Sequence, residues 1–211
     1  VIYTLAGPEI AVASTKAYVT QLVAFYILGL YFASLKETVS EEYVEEIKKE
    51  LLAIPEKIEA VLENQEGVKK YAAENYEQRD IYFLGRGVDY AVALEGSLKL
   101  KEISYIHCDA YAGGELKHGP IALIDKGTAV ITLLTQEALK DKMVSNVREV
   151  STRGGNIFAI ANQGDEIAKT VAEEVVYIPK TVDLLTPLVS VVPLQLLSYY
   201  VAKNKGCDVD K

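Results

Sequence analysis

The sequence predicts an α/β fold, a doubly wound parallel sheet flanked by helices. From Asp80 onward, short apolar runs alternate with helix-length segments. That is the pattern of strands buried on both faces and joined by crossover helices. The breaks fall at Gly85-Arg86-Gly87, Gly154-Gly155 and Thr186-Pro187, where such a chain has to turn. A third observation sets the scale. The chain has 211 residues, half of them hydrophobic and a quarter charged, enough for one large domain, or one domain and part of another. This composition excludes a disordered chain.

Val1 to Ala6 is a short β-rich run closed by Gly7-Pro8. Ser14 is placed to cap a helix running to about Leu35. Its Leu22–Leu35 stretch is nearly all apolar but falls short of the ~20 residues of a membrane span, so a helix buried in a domain core is expected. From Thr38 the charge density rises. SEEYVEEIKKELLAI reads as an amphipathic helix stopped by Pro55, and PEKIEAVLEN and EGVKKYAAEN as two further short helices. Together they make a helical connector with solvated faces. IYFLG is then a buried strand, followed by a helix from about Asp89 to Tyr105. After a glycine-rich loop, AVITLLT is the second strand, Glu137–Arg153 a helix and NIFAIAN the third strand. Asp165–Glu173 is a short helix and EVVYIP the fourth strand. The last helix opens at Thr186-Pro187, with proline at its first position, and ends near Gly206.

Acidic residues outnumber basic ones 30 to 22, a net charge of −8. A nucleic-acid surface needs clustered positive charge and is therefore not expected. Cys108 and Cys207 are too few for a disulfide framework and do not form a metal pair, which fits a reducing cytosol. No basic stretch of the kind that opens a secretion signal starts the chain. The first residue is Val1, and VIYTLAG reads as mid-domain sequence, so an excised piece of a longer protein is expected.

Three places can carry chemistry. Gly85-Arg86-Gly87 follows a strand and precedes a helix. It is either a tight turn that needs two glycines or a cradle whose backbone N–H groups hold an anion at the carboxyl end of the sheet. In the next helix Glu95, Lys99 and Glu102 are spaced i, i+4, i+7 along one face. They form either a solvated ion-pair stripe or a carboxylate base kept ionised by a neighbouring lysine, suited to proton abstraction beside a carbonyl. The loop Ala110–Pro120, AYAGGELKHGP, packs Glu115, Lys117 and His118 among three glycines. Long polar loops at sheet ends are usually functional, and an imidazole there either shuttles a proton or is incidental. His107 is expected to pack structurally.

These strings also carry a resemblance. LEGSLKLKEISYIHCDAYAGGELKHGPIALID resembles the isomerase half of the glutamine–fructose-6-phosphate aminotransferases (isomerising), a family built on sugar-isomerase (SIS) domains. AGPEIAVASTKAYVTQL is similar to the end of that family's first SIS domain, and PLQLLSYYVAKNKGCDVDK to the segment just before its C-terminal tail. The resemblance covers essentially the whole chain in the right order. It implies that Glu102 is the base that moves a proton between C1 and C2 of the sugar, with Lys99 an active-site lysine. It implies that His118 helps open the sugar ring and comes from the neighbouring subunit of a homodimer. Val12, Ala13 and Ser14 match positions that contact fructose 6-phosphate. No metal and no redox cofactor is implied.

The departures bear on what this chain can do alone. The family's glutaminase domain has no counterpart here, and its phosphate loops would precede Val1. A Schiff-base lysine belongs to the tail beyond this chain, and Lys211 does not match it. Gly113 stands where many relatives have alanine, a change expected to matter little. The expected organisation is therefore the end of a first SIS domain (1–36), a helical connector (37–79) and a second SIS domain (80–211). The parent would make glucosamine 6-phosphate in the cytoplasm from fructose 6-phosphate and glutamine-derived ammonia, and the piece alone is expected to be inactive. The rivals are a related SIS deglycase or sugar-phosphate deaminase, and a non-catalytic sugar-phosphate-binding regulator, which would need neither Glu102 nor His118.

Overall fold

Five parallel strands form one sheet in the order β2-β1-β3-β4-β5: β1 (Asp80–Gly85), β2 (His107–Ala112), β3 (Ala129–Leu134), β4 (Asn156–Asn162) and β5 (Glu174–Ile178). The computed structural model describes residues 1–210; Lys211, set beside the tail lysine above, lies outside the described residues. The chain steps from β1 outward to β2, then crosses back over β1 to β3, so the winding reverses between β1 and β3. Side chains alternate between two cores as the strand pleat requires. Ile81, Phe83, Ile131, Leu133, Phe158 and Ile160 face one layer, while Tyr82, Leu84, Val130, Leu134, Ile157 and Ala159 face the other.

The first layer holds α2 (Glu41–Glu63), α3 (Glu66–Asn75), α4 (Val88–Ser104) and α6 (Thr186–Lys205), with α1 (Lys16–Leu35) against its outer side. The second layer holds α5 (Lys140–Thr152) and the 3-10 turn Gly113–His118, whose Leu116 is buried there. This is the doubly wound α/β arrangement the apolar runs predicted.

Several expectations need correction. The sheet has a fifth strand, β2, which the sequence reading merged into a loop. HCDAYA is an edge strand in which only Cys108 is fully buried, so its polar residues disguise it. AVITLLT is thus the third strand. His107 does not pack; it is exposed at the start of β2, with Nδ1 2.7 Å from Asp80 Oδ1. Val1–Ala6 forms no strand. Ser14 does not cap α1. Glu9 does so from the preceding loop, its Oε1 accepting the N–H groups of Thr15 and Ala17 at 3.2 and 2.9 Å. A carboxylate suits those orphan donors and the positive end of the helix.

Pro55 does not stop its helix, and PEKIEAVLEN is the second half of α2. Ile47, Ile54 and Val61, seven residues apart, are buried on one face, and their burial outweighs the backbone bond that proline removes. Ser40 caps this helix, accepting the Tyr43 N–H at 3.2 Å. Asp165–Glu173 contains only the 3-10 turn Ala168–Thr170.

α1 is not a core helix in this chain. Tyr18, Leu22, Tyr26 and Leu30 rest on the first layer, but none of its residues is buried and Phe25, Ile27, Tyr31 and Phe32 are exposed. Only one side has anything to pack against. Among the described residues, Lys16–Leu35 and Asp183–Lys205 are long and apolar enough to cross a membrane by length and composition; the second is mostly buried inside the fold.

Candidate active site

The acidic-basic stripe of α4 is not solvated. Lys99 extends between two carboxylates, its Nζ 2.7 Å from Glu102 Oε2 and 3.5 Å from Glu95 Oε1. Only 6% of its side chain is exposed, against 13% for Glu95 and 28% for Glu102. A buried ammonium needs such partners. Burial pushes the Glu95 carboxyl above the usual carboxylate range, an effect that Lys99 only partly offsets. Tyr18 of α1 lies over this end of the stripe; its phenol is raised to about 12, by burial first and by the Glu95 charge second.

At the other end, Ala13 is buried in a small cluster with Ile103 and Ala202. The segment Val12-Ala13-Ser14 therefore runs beside the residue that follows Glu102. Residues ninety positions apart in sequence are brought to one place, with Glu102 the most open member of the ion-pair triad. A partly exposed carboxylate held by a buried ammonium is fixed in place and can still reach a ligand, the arrangement general-base chemistry needs.

This place is not where open sheets usually bind ligands. α4 starts at the carboxyl end of β1, runs back along the sheet and delivers the chain to the first residue of β2. Glu102 thus sits near the amino ends of the strands. The crevice at the carboxyl ends, where the winding reverses between β1 and β3, is filled. Gly85-Arg86-Gly87 is a tight turn: a Cβ on Gly85 would lie 2.4 Å from the Asp89 backbone, and Gly87 has φ +57°. Asp89 then occupies the N-terminal turn of α4 with its own carboxylate, accepting the Thr135 N–H at 2.9 Å and the Thr135 hydroxyl. An external anion would compete with this fixed one.

Burial pushes the Asp89 carboxyl up to about 6, against hydrogen bonds that pull it down. A carboxyl raised on folding favours the native state below its unfolded value, and that contribution is lost as pH rises through the folded value. Relative to Asp89→Asn, the natural protein should lose about 2 kcal/mol between pH 4 and pH 6. Denaturant titrations of both proteins across that window check it; parallel pH profiles would refute it.

His118 ends the 3-10 turn Gly113–His118. Its side chain is 74% exposed, and its nearest charged partner is Glu115, 4.0 Å away. The turn belongs to the α5 layer and α4 to the opposite one. Within one chain, then, Glu102, Lys99 and Ala13 come together and His118 stays apart. Sequence reasoning missed Tyr18 and Asp89, each of which acquires its surroundings only from distant segments.

Fold and site together define an α/β domain of the doubly wound class whose chemistry-bearing groups lie on a helix flank beside the segment that precedes it. The chain belongs to the SIS domain family, whose description matches residues 76–204. Over its whole length it is 63% identical to the glutamine–fructose-6-phosphate aminotransferase [isomerizing] of Clostridium tetani and 48% identical to that of Thermus thermophilus. It spans 35% of the length of these curated relatives. Among solved structures it is similar to the C-terminal domain of glucosamine-fructose-6-phosphate aminotransferase from Francisella tularensis, with TM-score 0.91 and 40% identity. That match covers 97% of this chain and 58% of the other. A glucosamine-6-phosphate deaminase from Thermotoga maritima shares the fold at TM-score 0.70 and 24% identity, over 97% of this chain and 56% of that one.

Proposed function

We propose that this chain is the isomerase part of an enzyme that makes glucosamine 6-phosphate from fructose 6-phosphate and glutamine-derived ammonia. The observation that carries the reading is the Glu95–Lys99–Glu102 triad, a buried lysine holding a more exposed carboxylate 2.7 Å away beside the Val12–Ser14 segment. High identity to relatives bearing that enzyme's name supports it. Ammonia adds to the C2 carbonyl of the open sugar and water leaves. Glu102 takes a proton from C1 and returns it to C2, while the C1 hydroxyl gives up its proton and the imine nitrogen gains one, so C1 ends as an aldehyde and C2 as an amine. Lys99 holds the Glu102 carboxylate in place through their 2.7 Å ion pair. Val12, Ala13 and Ser14 contact the sugar phosphate.

In this reading residues 1–36 close a first SIS domain, 37–79 are the connector and 80–211 the second SIS domain. A glutaminase domain of the longer chain supplies ammonia in the cytoplasm. His118 opens the sugar ring in the site of the other subunit of a homodimer, which its exposure on the layer opposite Glu102 favours.

Subunit mixing tests the shared site. Full-length Glu102→Gln and His118→Ala variants are each expected to be nearly inactive. Refolded together, their mixed dimers hold one site with both groups intact, so about a quarter of the natural activity should return, as two-fold symmetry requires. Mixtures no more active than the separate variants would refute the shared site.

A further inference from the structure

The segment that carries His118 is anchored at Gly113, Gly114, Leu116 and Lys117 while its last side chain is left in solvent. A Cβ placed on Gly114 would meet Arg86 Nη2 at 3.1 Å and Cζ and Nη1 at 3.4 Å. These near-equal distances lay the planar guanidinium against the backbone. A Cβ on Gly113 would lie 2.8 Å from Met143 Sδ and 3.0 Å from Asn146 Oδ1. An alanine at this position would require the flexible Met143 side chain to shift. Further on, Leu116 is buried in the second core, and Lys117 pairs with Glu149 of α5 at 2.8 Å.

Arg86 is itself fixed. It stands in the tight turn between β1 and α4, and its Nε donates to Asn146 Oδ1 of α5 at 3.1 Å. Three elements distant in sequence thus meet at one guanidinium. Nothing in the ion-pair triad or in the filled β1/β3 crevice uses this contact. Lysine could not replace it, because an ammonium has neither the plane that packs on the chain nor the fixed Nε–H.

We propose that Arg86, held by Asn146, is a positioning residue that fixes the Gly113–His118 turn so that His118 projects from the surface in one orientation. The proposal rests on the reading of His118 as a group delivered to another subunit's site. A group that must reach a sugar across a subunit boundary gains from being preset, since a displacement of about 1 Å can cost about 100-fold in rate.

The chain has two histidines, so its imidazole signals can be read singly by NMR, with His118→Ala assigning them. His107 lies at the amino end of β2, away from Arg86, and serves as the internal control. Arg86→Ala and the milder Arg86→Lys should both move and sharpen the His118 signal and leave His107 in place. An unchanged His118 signal in either variant overturns the proposal. In the full-length enzyme, Arg86→Ala should lower kcat by about 10- to 100-fold with little change in KM for fructose 6-phosphate. In a His118→Ala background it should add nothing. Effects that multiply would mean that Arg86 acts elsewhere, and would overturn it. Should His118→Ala alone leave kcat intact, the catalytic reading of His118 fails, and the NMR result still decides what Arg86 does.

Discussion

Glu102→Gln in the full-length enzyme is expected to lower isomerisation by about 10²–10⁴-fold, the usual worth of a positioned general base. The substitution keeps the shape of the side chain and one acceptor oxygen, so Lys99 retains a partner and the fold should hold. Fructose 6-phosphate binding should survive, because the Val12–Ser14 segment packs through Ala13 against Ile103 and Ala202 and not through the carboxylate. Binding measured by calorimetry beside turnover separates the two. Near-normal isomerisation by the variant would reduce Glu102 to one arm of an ion-pair triad.

Lys99→Met should cost about 3–5 kcal/mol of stability, the typical penalty for removing one partner of a buried ion pair. Methionine fills the space of the lysine stem but leaves Glu95 and Glu102 facing one another, and the charge of Glu102 already raises the Glu95 carboxyl. Without Lys99 that carboxyl rises further. A carboxyl raised on folding destabilises progressively as pH rises through its folded value, so the defect should be larger at pH 8 than at pH 5. Adding Glu95→Gln should recover part of the loss by removing the charge that cannot be paired. Denaturant midpoints of the three proteins at the two pH values test this. A pH-independent defect would mean that the stem packing of Lys99, not its charge, matters.

The site was legible in the sequence to the extent that it lies along one helix. Glu95, Lys99 and Glu102 share a face because helical geometry dictates it, and no tertiary contact is needed to see that. Whether the stripe faces water was not legible. Its burial comes from α1 and α6, which lie far away in sequence, and Tyr18 over Glu95 is part of that cover. His118 was singled out by its loop, but its separation from Glu102 follows from the layer to which that loop belongs. Arg86 looked like an incidental residue between two glycines, because its partners Gly114 and Asn146 lie 28 and 60 positions away.

The sequence by itself determined the α/β class, four of the five strands, the helical face of the triad and the start and end of α6, all features fixed within a few consecutive residues. The tertiary structure alone decided the edge strand β2, the passage of α2 through Pro55, the capping of α1 by Glu9 and the filled crevice at Asp89. It also decided the meeting of Ala13 with Ile103. The physical reason is common to these cases. Local propensity is worth at most about 1 kcal/mol per residue for most side chains, so burial against distant segments, worth more per side chain, overrides it wherever the two disagree.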